Sequence, residues 1–222
     1  MERKYLELFK EGFPSDIAER TAIENRPYVG YSIKEKRMVY TDIEIPFMEI
    51  GNYNNKEEII KYAGKTVNVQ VNRTFKANDG YYTLCLPFDL DASEIGKAYQ
   101  VTSITEYAAG EGLNVIFNEV TTIEAGQPYL ILPKDLTNPI FENVTITYTG
   151  EGEKVHAEGA GINFDMIGVI NGGGKTGQGQ YWVGANGRFF GGDGAPTDKL
   201  GLRVLFDIKG MPTGSNANVV IP

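Results

Sequence analysis

From Lys65 onward the sequence is cut into short runs of alternating apolar and polar residues by Gly, Pro, Asn and Asp, which recur about every 8 to 15 residues. Runs of that length suffice for strands and are too short for helices that persist in water. The runs expected as strands are Thr66 to Thr74, Tyr81 to Leu86, Tyr99 to Tyr107, Leu113 to Glu119, Pro128 to Ile131, Val144 to Tyr148, Phe164 to Ile170, Gln180 to Val183, Arg188 to Phe190, Gly201 to Phe206 and Val219 to Ile221. One helical turn, Ala92 to Lys97, interrupts them. There are no repeated strand-then-helix units to cover both faces of a parallel sheet. The expected fold class is therefore all-β: an antiparallel β-sandwich or partly closed barrel, with a small α+β N-terminal appendage.

The appendage follows from a change in composition near residue 64. Residues 1–64 hold 4 of the 27 glycines and 22 of the 50 charged residues, so helix is compatible with the first part and not with the second. Tyr5, Leu6, Leu8, Phe9 and Phe13 recur at helical spacing until Gly12 and Pro14 end the run. A second short helix fits Ser15 to Ile23, with Ser15 as its N-cap. Tyr28 to Ile33 and Met38 to Thr41 flank the charged turn Lys34 to Arg37 and read as a hairpin. Asn55 is expected to cap a helix from Lys56 to Tyr62 that Gly64 ends. None of these pieces is large enough to stand alone. The expected division is 1–64 as a docking or assembly segment and 65–222 as a β-sandwich-like domain.

Charge and residue usage exclude several function classes. Lys and Arg number 21 against 29 Asp and Glu, a net charge of −8, and such a surface repels phosphate backbones; nucleic acid is not an expected partner. One His and one Cys leave no internal disulfide and no Cys/His zinc site within a single chain. Met1 to Phe9 mixes basic and acidic residues without the apolar run of a secretory signal, so no signal peptide is expected in the chain as given. No stretch approaches the roughly 20 apolar residues of a spanning helix, so no membrane insertion is expected.

Asn72 to Leu90, NRTFKANDGYYTLCLPFDL, resembles a β-domain that recurs near the C-termini of large surface proteins from Bacteroides, Prevotella and related bacteria. Ile123 to Ile131, IEAGQPYLI, is similar to that domain's strand entry, with Gln127 where lysine is usual. Tyr181 to Phe190, YWVGANGRFF, followed by Gly201 to Phe206, is similar to its penultimate hairpin and closing strand. The resemblance covers roughly residues 66 to 208. It implies a non-catalytic β-module displayed outside the cell and brings no catalytic residues with it. The signal peptide not expected in the chain as given and the 64 residues of small elements depart from that pattern, so the chain is expected to be either an excised fragment or one that reaches the outside by another route. Both departures would suit a bacteriophage virion protein, made without a signal and exposed only on the particle.

Motifs that invite chemistry have plainer readings. Gly172-Gly173-Gly174-Lys175-Thr176 suggests a phosphate loop, but the first glycine of that motif would fall at Val169, and Gly177 to Tyr181 is a poor helix start. A hairpin loop is expected. Any Ser-His-Asp or Cys-His site would have to be built on His156, whose commoner fate is an exposed turn, while Cys85 sits in an apolar strand context. Asp89 with Asp91, or Asp193 with Asp198, could offer oxygen ligands to calcium, yet neither pair has the spacing of a calcium loop and solvated turn acids are the plainer reading. No catalytic, cofactor-binding or metal-ligating residue is therefore assigned, and no cofactor is expected.

Aromatic pairs are the more informative surface candidates. Tyr81-Tyr82, Tyr181-Trp182 and Phe189-Phe190 each put one ring on either face of a strand. Tyr181, Trp182, Phe189 and Phe190 are the candidate ligand- or partner-binding residues, lying in a stretch from Asn171 to Lys199 that holds ten glycines in 29 residues. The rival reading is that both rings of each pair anchor the hairpins to the core. The function expected is a non-enzymatic structural or attachment module on the outer face of a virion or bacterial cell, docked to other protein subunits through its N-terminal segment as an oligomer. The alternative is a carbohydrate-binding module that takes a surface glycan. A hydrolase would need a pocket that unites His156, or two carboxylates, with a substrate.

Overall fold

The computed structural model describes residues 28–32, 37–40, 45–108, 112–191, 196–210 and 216–222. They belong to two compact units that divide between Ile45 and Pro46. In the first, β1 (Tyr28–Ser32) and β2 (Arg37–Tyr40) pair antiparallel, with Ser32 opposite Arg37, as the two arms and the charged turn predict. The helices expected at Tyr5 to Phe13 and Ser15 to Ile23 lie outside the described residues.

Along the second unit run β3 (Phe47–Gly51), α1 (Lys56–Tyr62), β4 (Thr66–Asn72), β5 (Thr74–Phe75), β6 (Tyr82–Leu84), β7 (Leu90–Asp91) and α2 (Ala92–Ile95). Next come β8 (Gly96–Ala108), β9 (Gly112–Val120), β10 (Thr122–Ile123), β11 (Tyr129–Pro133), β12 (Leu136–Thr137) and β13 (Ile140–Thr145). The remaining strands are β14 (Lys154–Gly159), β15 (Ile162–Val169), β16 (Gln180–Val183), β17 (Phe189–Gly191), β18 (Arg203–Lys209) and β19 (Asn216–Val220). The unit is an all-β sandwich with a curled, half-barrel sheet.

Two five-stranded sheets, ordered β19-β9-β8-β11-β6 and β14-β15-β18-β16-β17, enclose one core. Period-two alternation supplies it: Val115 and Phe117 from β9 meet Phe164 and Met166 from β15 and Phe206 from β18, all fully buried. Burying each such side chain contributes about 1.5–3 kcal/mol. A second core lies on the reverse face of the first sheet, under a three-stranded sheet ordered β13-β4-β3. Strand β11 shows how one strand serves both: Tyr129 and Ile131 enter the second core while Leu130 enters the first. This is why Tyr129-Leu130-Ile131 reads as a continuous apolar run and not as an alternation.

Two expectations need correction. The boundary at residue 64 is replaced by one at Pro46, because Met48 and Ile50 of β3 and Ile59 of α1 are buried in the second core beside Val67, Val69 and Val71. Asn55 occupies the N-cap position, but its side chain makes no cap bond; it accepts from Gly51 N and donates to the carbonyls of Gly51 and Ile170, the last at 2.7 Å. Asn54 accepts from Lys56 N in its stead. The pairings are otherwise antiparallel as expected, with β3 parallel to β4 and β19 parallel to β9.

Candidate functional site

Strands β16 and β17 form an antiparallel hairpin in which Trp182 lies opposite Phe190 and Val183 opposite Phe189. Alternation then divides the four candidate residues by face. Phe189 turns inward, edge-on to Phe206 at 5.0 Å and to Phe164 at 5.6 Å, and Tyr181 packs against the same core. Trp182 and Phe190 line a cleft of about 800 Å³, and Phe190 is 54 % exposed. The candidates are therefore two inward and two cleft-facing residues.

The hairpin is positioned from both sides. Tyr81 N donates to Ala185 O at 3.1 Å, and Gly80, at φ +83°, lies so close to that carbonyl that a Cβ would stand 2.0 Å from it. Only glycine combines that left-handed backbone with that approach. On the other side Val219 N, in β19, donates to Gly187 O at 3.0 Å. The indole is fixed as well: Trp182 Nε1 donates to Thr197 Oγ1 at 2.9 Å, and Thr197 N donates to Thr176 Oγ1 at 3.0 Å. The indole is thus held in one orientation by the hairpin and Thr197, so contact with it costs little rotamer entropy.

The cleft is also lined by Tyr81, Tyr82 and Thr83, and by Asp79, Asp198 and Arg203. Lys175 Nζ donates to Asp198 Oδ1 at 2.6 Å, an ion pair exposed to solvent. Arg203 is partly buried, and desolvation holds its guanidinium below the ordinary arginine value. Behind it Arg73 is 4 % exposed; desolvation first, and the like charge of Arg203 second, hold it well below that value.

The remaining motifs take structural parts. In the glycine run, Gly172 N donates to Tyr53 O, Lys175 bridges to Asp198, and strand β16, not a helix, follows. Cys85 is buried, its thiol donates to Gly126 O at 3.2 Å, and burial pushes its pKa up. Asp89 accepts from Ala125 N, and Asp91 accepts from Ser93 N at the start of α2. His156 is not in a turn but on β14, where Nδ1 donates to Asp165 Oδ1 at 2.6 Å. Strands β15 and β18 separate it from the β16–β17 hairpin. Among the described residues no group of three His, Cys, Asp or Glu could hold a metal ion.

Arg73, Arg203 and Thr197 were not among the sequence candidates. The available signal was a lone arginine in each of two apolar strand contexts, Arg73 after Val69-Gln70-Val71-Asn72 and Arg203 within Gly201 to Phe206. Comparison with known proteins finds no family model, no curated protein and no solved structure that matches this chain.

Proposed function

We propose that the chain is a non-enzymatic attachment module of a virion or bacterial cell surface whose β unit carries a glycan-binding cleft. One observation carries the reading: Trp182 and Phe190 form a cross-strand pair on the cleft wall, with the indole tied to Thr197. Flat aromatic faces stack on the apolar faces of sugar rings, and fixed rings do so at low entropic cost. The nearby Tyr81 and Tyr82 offer phenol hydroxyls to sugar hydroxyls. The resemblance of Asn72 to Leu90 to displayed surface domains supports the setting, and the unit ahead of Pro46 is the natural means of joining other subunits.

A glycan array probed with the full chain and with Phe190→Ala tests this. Array binding that falls at least tenfold in Phe190→Ala, at unchanged melting temperature, is the expected result; an array without ligands, or binding indifferent to the substitution, overturns the cleft reading. The docking role has its own test, deletion of residues 1–45. The β unit should melt as before while losing its place in the parent assembly, and assembly that survives the deletion refutes that role.

A further inference from the structure

We infer that the cleft is built for an acidic saccharide, with Arg203 receiving a sugar carboxylate beside the Trp182 and Phe190 rings; the inference rests on the glycan reading of the same cleft. Two guanidiniums stand together here, and among the described residues no acid pairs with either. Arg73 Nη1 donates to Thr83 O at 3.0 Å and to Leu202 O, the carbonyl that precedes Arg203 in the chain. Its Nη2 has no acceptor among the described residues, nor has the buried Nε of Arg203. The Phe75 ring, 4.8 Å from the Arg73 guanidinium, offsets only part of that charge.

Ion pairs among the described residues form elsewhere, and no described carboxylate comes within 4.0 Å of either arginine. The two acids that line the cleft do not serve: Asp198 is bound to Lys175, and Asp79 stays beyond that distance. Two like charges side by side away from water are costly unless an anion answers them. The Arg203 end of the cleft is the accessible place for one, since Arg203 lines it and Arg73 does not. A guanidinium offers parallel N–H donors that match the two oxygens of a carboxylate, a match a neutral sugar hydroxyl lacks. Ring wall and guanidinium together therefore select a pyranose bearing an acid over its neutral counterpart.

Trp182 is the single tryptophan, so the emission of the full-length protein reports directly on the cleft. The probes are trigalacturonate, a hyaluronan tetrasaccharide and sialyllactose, each beside its neutral methyl ester. At least one acid should bind about tenfold or more tightly than its ester, a difference of about 1.4 kcal/mol. Arg203→Gln, which breaks no side-chain hydrogen bond among the described residues, should erase the preference while keeping the ester's affinity and the melting temperature. Arg203→Lys, retaining charge without the fork, should keep part of the preference and replaces the glutamine variant if that one fails to fold. Equal binding of acid and ester overturns this inference and leaves the glycan reading standing; no response to any saccharide overturns both. Equally tight binding of an acetylated triglutamate peptide also overturns it, assigning the response to charge alone.

Discussion

Phe189 and Phe190 are adjacent in sequence and opposite in fate, so their alanine variants measure whether the division of faces is right. Phe189 closes a three-ring cluster, edge-on to Phe206 at 5.0 Å and to Phe164 at 5.6 Å, with those two rings also 5.6 Å apart. Complete burial of a phenylalanine makes truncation cost about 3–5 kcal/mol, and each edge contact carries about 0.5–1.5 kcal/mol. Phe189 is only partly buried, so Phe189→Ala should cost about 2–3 kcal/mol. A domain of this size loses about 2–4 °C per kcal/mol, which gives a melting drop of about 5–10 °C. Phe190, 54 % exposed, should cost no more than about 0.5 kcal/mol, or about 1–2 °C. Thermal melts by far-ultraviolet circular dichroism separate these figures easily. Equal drops, or a larger one for Phe190→Ala, would show that the hairpin is turned the other way and that the cleft wall has been misassigned.

Gly80→Ala forces a Cβ to 2.0 Å from the Ala185 carbonyl at a left-handed φ, so it should destabilise by more than about 2 kcal/mol and shift Trp182 emission, while Gly177→Ala, whose Cβ would meet only Gln180 at 3.6 Å, should leave that emission unchanged. Burial alone would raise the Asp165 carboxyl, but hydrogen bonds from His156 and Lys154 outweigh it and hold the group below its ordinary value. Its contribution to stability is therefore present above the ordinary carboxylate range of about 4 and is lost as pH falls through the lowered folded value. Denaturant titrations should show Asp165→Asn losing less stability than the wild type on acidification below about pH 4; parallel acid limbs would refute this. Cys85 should resist iodoacetamide in the folded protein and react once denaturant exposes it, whereas rapid labelling of the native chain would contradict its burial.

What the sequence reveals here follows the range of the forces involved. Gln180 to Val183 is read to the residue because alternation and flanking glycines act locally. The strand at Phe47–Gly51 escapes notice because its partner β4 is parallel and is reached only after α1, so no turn announces the pairing. Lys154–Gly159 escapes because an edge strand carrying Lys154, His156 and Glu158 has one solvated face, and its sequence resembles a turn. At the site, period two separates Trp182 from Tyr181 and Phe190 from Phe189 but does not tell which face is outward. That choice is made by Phe164 and Phe206, from strands distant in sequence. The paired arginines were hidden for a related reason: a guanidinium is ordinarily solvated, and only the meeting of Arg73 with Leu202 brings it beside Arg203.

The parallel pairing of β3 with β4 also sets how this unit answers tension. A pull at Pro46 along the axis of β3 meets a neighbour running in the same direction, in register from Phe47 opposite Asn68 to Gly51 opposite Asn72. Resistance comes from the bonds of that register acting together, because the strands must slide past one another before any bond is free. A hairpin pulled at its open end gives way one bond at a time. Asn55, bonded to both Gly51 and Ile170, adds a clasp just beyond the loaded strand. A pull applied at Pro46 along the β3 axis would therefore load this pairing in shear, spread over the whole register from Phe47 to Gly51.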